Sequence, residues 1–175
     1  LWQNSLMERI YFNPIKKYLH KKIALISGPR QSGKTTIAKM LEKTFEYLNF
    51  DNDEDRKRLR EKSWDRKSDL LILDELHKLP KWKQWLKGVY DKEGVTPPII
   101  VTGSARIDSY KKVGDSLAGR YFHYRVHPLD VREILAINKN QKPFEVIEKL
   151  LEFSGFPEPY LEGTPTFYNL WKKTH

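Results

Sequence analysis

One stretch constrains this chain more than any other. Gly28-Pro29-Arg30-Gln31-Ser32-Gly33-Lys34-Thr35 matches G-x-x-x-x-G-K-[ST] in full. The apolar run Ile23–Ile26 before it is short and β-prone, as a buried parallel strand would be. After it, Ile37, Ala38, Met40 and Leu41 recur at helical spacing. A strand, a glycine-bounded loop and a helix in that order form a cradle for phosphate. The glycines let successive N–H groups point inward, and the helix beginning at Gly33 adds the positive end of its dipole. In such a loop Lys34 reaches the β- and γ-phosphates. Thr35 supplies a hydroxyl ligand to magnesium, and Thr36 caps the α-phosphate side. Binding contacts are thus expected from every residue of Gly28, Pro29, Arg30, Gln31, Ser32, Gly33, Lys34, Thr35 and Thr36.

A second feature gives the loop a partner. Leu70-Leu71-Ile72-Leu73-Asp74-Glu75 is an apolar strand ending in two carboxylates. Asp74 fits the acid that holds the magnesium shell, and Glu75 fits a general base acting on water. The same pair could instead cap the next helix; the complete loop before it favours chemistry. A later strand ends Thr102-Gly103-Ser104. A polar residue there would lie between the two motif strands, near the γ-phosphate, so Thr102 or Ser104 is a candidate to orient water.

The rest of the chain alternates in the same way. Strands are expected at Phe45–Phe50, Asp69–Leu73, Pro98–Thr102 and Tyr121–Val126. Helices are expected at Leu6–His20 with a kink at Pro14, at Asp53–Lys62, at Trp82–Tyr90, and over Ser104–Ala118 with a break near Gly114. Two more follow at Asp130–Ile137 and Phe144–Phe153. The alternation predicts a three-layer α/β fold: a central parallel five-stranded sheet with helices on both faces. Ser154–His175 shows no clear period and reads as the start of another domain, cut short, with Phe156–Tyr160 as a docking turn onto it.

Composition sets outer limits. No apolar run approaches the roughly 20 residues of a membrane span. There is no cysteine, which removes disulfides and thiolate metal sites and fits a cytoplasmic protein. The five histidines lack metal-ligand spacing, and Asp51-Asn52-Asp53 could touch nucleotide or magnesium but reads rather as a helix cap at Asp53. The net charge of +9 is scattered among acidic neighbours, so nucleic acid is an open partner rather than an indicated one.

Asp74-Glu75-Leu76-His77 also spells a helicase-like D-E-x-H box. Helicases of that class place more strands between the motifs than fit between Lys34 and Asp74, and His77 then reads as a helix-start residue. Asn138-Lys139-Asn140-Gln141 lacks the final carboxylate of a guanine reader, which leaves ATP with Mg2+ as the expected ligands. Six ordered segments, Gly28–Thr35, Leu73–Pro80, Thr102–Ala105, Leu117–Arg120, Pro128–Glu133 and Gly155–Glu158, resemble the AAA+ superfamily. More closely, they look like prokaryotic AAA-type P-loop ATPases, similar to signal-transducing ATPases with numerous domains.

The resemblance implies an N-terminal helix over 1–20, an ATPase domain over 21–138, and over 139–175 a helical extension leading into a truncated C-terminal region. It implies an Mg-dependent ATP hydrolase or molecular switch, acting with a second copy or a partner protein. Lys34, Glu75, Thr102, Ser104 and Arg120 would be its catalytic residues, and Thr35 and Asp74 its metal ligands. Arg120 stands where such proteins carry an arginine finger or a sensing arginine, acting on its own γ-phosphate or a neighbouring subunit's, though an ion pair at a strand start explains it equally; Arg106 is a weaker candidate. The competing function is a nucleotide-gated module that binds nucleic acid or protein and hydrolyses little.

Overall fold

The computed structural model describes residues 9–104 and 116–174. Five parallel strands form one sheet: β1 (Ile23–Ser27), β2 (Glu46–Asn49), β3 (Leu71–Asp74), β4 (Ile99–Gly103) and β5 (Tyr121–Arg125), in the order β2-β3-β4-β1-β5. The α/β fold is the expected one. Alternation within each strand decides its two faces. Ile23, Leu25, Leu71, Leu73, Ile99 and Val101 point to one side, while Ala24, Ile26, Ile72 and Ile100 point to the other.

Helix α1 (Phe12–Tyr18) buries Ile15, and Leu19 just beyond its end is buried with it; both lie on the Ala24–Ile26 face. Helix α2 (Lys34–Met40) adds Ile37 and Ala38 there. The opposite face is covered by Leu59 of α3 (Asp53–Glu61) and by Trp82, Leu86 and Val89 of α4 (Trp82–Glu93). After β5 come four helices: α5 (Val131–Ile137), α6 (Pro143–Phe153), α7 (Pro157–Glu162) and α8 (Pro165–Lys173). Leu129, Ile134, Val146 and Tyr160 give this segment a small apolar cluster of its own.

Three local expectations change. Pro14 makes no kink; it is the third residue of α1, inside the first turn, where its missing N–H has no helical partner to lose. The cap of α3 is Asn52, which accepts from the N–H groups of Glu54 and Asp55 at 3.0 Å each, and not Asp53. Ser154–His175, read as aperiodic, contains α7 and α8. Each starts on a proline, which is preorganised for the first helical position, and α7 stops at Gly163 in the left-handed region. Prolines that look like breakers are the starts. Most of the helix expected over Ser104–Ala118, and Arg106 with it, lies outside the described residues; the chain from Ser116 to Arg120 is a turn.

Candidate nucleotide site

The sheet order brings the motifs together. β1 ends at Ser27 between β4 and β5, with Ser27 level with Gly103 and with Arg125. β4 in turn sets Thr102 level with Asp74 on β3. The loop after β1 therefore emerges beside the tips of β3 and β4, at the carboxyl edge of the sheet.

Backbone geometry at the loop explains its glycines. At Gly28 (φ 151°) a Cβ would stand 2.1 Å from the Val126 carbonyl oxygen, so a side chain there has no room. Gly33 (φ 90°) and Gln31 (φ 59°) are left-handed, which folds the loop back on itself before α2 begins. Lys34 is buried, and its ammonium donates to the carbonyls of Gly28 at 3.1 Å and Pro29 at 2.5 Å. Burial lowers its pKa, against the opposing pull of the Glu75 and Asp74 charges, while Arg30 adds to the lowering.

Asp74 is the point where four elements meet. Its Oδ2 accepts from Thr35 Oγ1 at 3.1 Å and from the Tyr47 hydroxyl at 2.6 Å. Its Oδ1 accepts from the Thr102 hydroxyl and, at 3.0 Å, from the Glu75 N–H. Burial, and then the bond to Asp74, push the Tyr47 phenol well above its ordinary pKa, so it stays a donor. A threonine hydroxyl beside a carboxylate is a hard oxygen set of the kind magnesium takes, so Thr35 and Asp74 fit that ion.

Thr102 and Ser104 are not equivalent. Thr102 is fully buried beneath Asp74 and orients it. Ser104 faces the other carboxylate through His77: Ser104 Oγ to His77 Nε2 is 3.4 Å, and His77 Nε2 to Glu75 Oε2 is 3.5 Å. His77 thus does more than start a helix; it lies in the 3-10 turn Leu76–Lys78 and touches both groups. Glu75 is itself left-handed (φ 54°), a strained position for a residue with a side chain, and Lys78 Nζ stands 3.6 Å from its carboxylate while also pairing with Asp51.

Arg120 does not join this group. Its carbonyl accepts from the Ile23 N–H at the start of β1, the opposite end of the strand from the loop. Its guanidinium pairs with Asp91 of α4 at 2.8 Å. The ion-pair reading describes what it does within this chain, and the arginine-finger expectation fails for the chain's own loop.

Two parts of the site were not legible in the sequence. The first is α7. A cavity of about 420 Å³ opens between Gly33–Ile37 and the residues Pro157, Glu158 and Leu161, with Arg9 and Gln31 also on its wall. Phe156–Tyr160 therefore faces the phosphate loop within this chain. Gly155 permits the approach: a Cβ there would stand 2.5 Å from the Leu129 carbonyl oxygen. The second is Arg9, buried against the loop; an isolated arginine carries no sequence signal. Thr36 is exposed on the cavity wall.

A family model described as "AAA domain" matches residues 20–135, more than half of the chain. The chain belongs to the AAA domain family. Uncharacterized proteins of Mycobacterium bovis and Mycobacterium tuberculosis are each 30% identical to this AAA domain over 125 residues, 69% of this chain and 28% of theirs. An uncharacterized protein of Methanocaldococcus jannaschii is 29% identical over 170 residues, 81% of this chain and 37% of its own. The chain thus spans about a third of the length of the curated relatives it matches.

Among solved structures, a DNA replication initiation factor superposes with TM-score 0.56 at 17% identity, covering 91% of this chain and 59% of the other. A signal transduction ATPase with numerous domains, bearing a tetratricopeptide repeat sensor, from Pyrococcus horikoshii superposes with TM-score 0.51 at 14% identity, covering 83% of this chain and 28% of that one. At those identities the likeness is one of fold. That fold agrees with the AAA domain match over residues 20–135. Among the described residues no helix is long and apolar enough to cross a membrane.

Proposed function

We propose that this AAA domain binds ATP with Mg2+ at Gly28–Thr35 and hydrolyses it, working as a slow molecular switch. The observation that carries the reading is the junction at Asp74. One carboxylate is shared by the Thr35 hydroxyl from the loop and the Thr102 hydroxyl from the intervening strand, with Glu75 next in the chain.

Each residue then has a task. The loop N–H groups and the Lys34 ammonium would take the phosphate oxygens, with Lys34 exchanging its carbonyl partners for them. Thr35 and Asp74 would hold magnesium, whose contribution is to neutralise charge on the phosphate oxygens. Glu75 would accept a proton from the attacking water, with His77 and Ser104 orienting its carboxylate. Thr102 would act through Asp74 rather than on water directly. The adenosine end would lie in the cavity against Pro157 and Leu161. We divide the chain accordingly into an N-terminal helix, a core over 21–138 and a helical extension that closes over the loop.

Phosphate release tests this. Glu75→Gln is expected to lower the rate by about two orders of magnitude or more while nucleotide still binds, the size of a general-base contribution. Equal rates in Glu75→Gln and wild type would remove the role given to Glu75.

A second reading is a nucleotide-gated binding module with little hydrolysis, acting with a partner protein, a second copy or nucleic acid. Phe144, Ile147 and Leu151 form an apolar stripe on α6, exposed by 69%, 42% and 81%, and the chain carries a net charge of +9. Association that changes when ATP is added, with no phosphate released, would favour it. In a gel shift, a salt-sensitive complex would point to nucleic acid.

A further inference from the structure

Arg9 and Glu133 form a buried ion pair, 5% and 2% exposed, between the first described residue and α5. Arg9 Nε donates to Glu133 Oε1 at 2.5 Å and Nη2 to Oε2 at 2.8 Å, a bidentate fork. The guanidinium does not stop there. Nη1 donates to the Ser32 carbonyl at 2.8 Å and Nη2 to the His127 carbonyl at 2.7 Å. Glu133 also accepts from the Ile10 N–H at 3.1 Å, and its own N–H is held by the Asp130 carboxylate at 2.8 Å.

The Ser32 bond has a geometric consequence. Carbonyl and N–H lie on opposite sides of a trans peptide. When Arg9 holds the Ser32 oxygen, the Gly33 N–H of the same peptide points the other way. Gly33 is a left-handed glycine (φ 90°, ψ 14°), so its own backbone restrains that peptide plane weakly. An outside hold is needed to keep the plane in one orientation. A Cβ on Gly33 would stand 3.6 Å from Arg9 Nη1, which puts the guanidinium directly behind the residue.

We propose that Arg9, locked by Glu133, is a positioning residue for the phosphate loop: it turns the Ser32–Gly33 peptide so that the Gly33 N–H faces the nucleotide phosphates. The inference rests on the reading that this loop binds nucleotide. It also makes α5 a sensor of the loop, because the same carboxylate that fixes Arg9 belongs to the first helix of the segment whose α7 walls the cavity. A bare structural staple would not need the carbonyl of Ser32. Apolar pairs of similar size commonly replace a buried ion pair without loss of stability, and that separates the two roles.

The test uses the 175-residue chain and ADP as probe. The double variant Arg9→Met/Glu133→Leu removes both charges together. The proposal expects it to fold, by circular dichroism, and to bind ADP at least tenfold more weakly than wild type. Should it not fold, Arg9→Lys keeps the charge opposite Glu133 but lacks the planar fork, and the same tenfold loss is expected. In wild-type protein the Gly33 amide proton should shift downfield on adding ADP, and in Arg9→Lys it should not. ADP affinity within twofold of wild type in a folded variant, or an ADP-induced downfield shift of the Gly33 amide in Arg9→Lys as large as in wild type, overturns the proposal. Lys34→Ala keeps the two claims apart. Binding lost in Lys34→Ala but intact without Arg9 leaves the loop reading standing and removes Arg9; no ADP binding by wild type removes both.

Discussion

At the level of single residues, Asp74 accepts four hydrogen bonds, three from hydroxyls and one from the Glu75 N–H. That uses about all the lone-pair directions a carboxylate has. In the proposed site a metal could approach only if one donor turned away, and the Thr35 hydroxyl is the one placed to do so, since its oxygen would then be a ligand itself. Tyr47 stays behind and keeps the carboxylate in orientation, with the Lys39 ammonium 4.0 Å from its ring centre. Tyr47→Phe keeps the ring and loses the donor. Titrating Mg2+ against a labelled ATP analogue should then require about tenfold more magnesium, the size seen when a group orienting a metal ligand is removed. Lys34 supplies a second prediction. Burial holds its pKa below 10.5 in the nucleotide-free protein, and phosphate would pull it back up. The folded chain therefore gains stability as pH rises from the lowered value towards 10.5, where the penalty for burying the charge disappears. Nucleotide binding in that alkaline window should take up a proton and weaken with rising pH. Calorimetry in buffers of different ionisation enthalpy reads the uptake; a buffer-independent heat would contradict it.

At the level of elements, α5 depends on its cap. Asp130 Oδ1 accepts from the Glu133 N–H at 2.8 Å, and that bond, partly offset by burial, lowers the Asp130 pKa. Asp130→Ala is expected to cost about 1 kcal/mol at neutral pH, the usual value for an N-cap. The sign follows from the lowered pKa: the contribution is present above the ordinary carboxylate value and is lost as pH falls through the folded one. Denaturant midpoints of wild type and variant should converge in acid.

The same scale shows how far the sequence could be read. β1, the loop and α2 were legible because Gly28, Gly33 and Lys34 leave few alternatives, and alternating apolar runs gave all five strands. Only the family resemblance put Arg120 near the site; it stands one residue before β5, and in a parallel sheet the start of a strand lies at the edge opposite the loop, where Arg120 pairs with Asp91. α7 and α8 were hidden because six and nine residues are too short to show a period through their prolines. Arg9 was invisible because its partners lie 23, 118 and 124 positions away.

At the level of the whole molecule, two apolar clusters, one on each face of the sheet, pack the five strands together, while a third, smaller cluster holds α5–α7 together. The cavity proposed for nucleotide lies where these clusters meet, between Gly33–Ile37 and Pro157–Leu161. A ligand there touches both, so binding should fasten the helical segment to the core, and the fastening should be absent whenever the loop cannot take phosphate. Equilibrium binding of ATP with Mg2+, measured on wild type and on Lys34→Ala, puts this most directly. Saturable one-to-one binding by wild type, lost in a Lys34→Ala protein that is still folded, is the expected result. Undiminished binding by Lys34→Ala, or none by wild type, would contradict the assignment of Gly28–Thr35 as the nucleotide site.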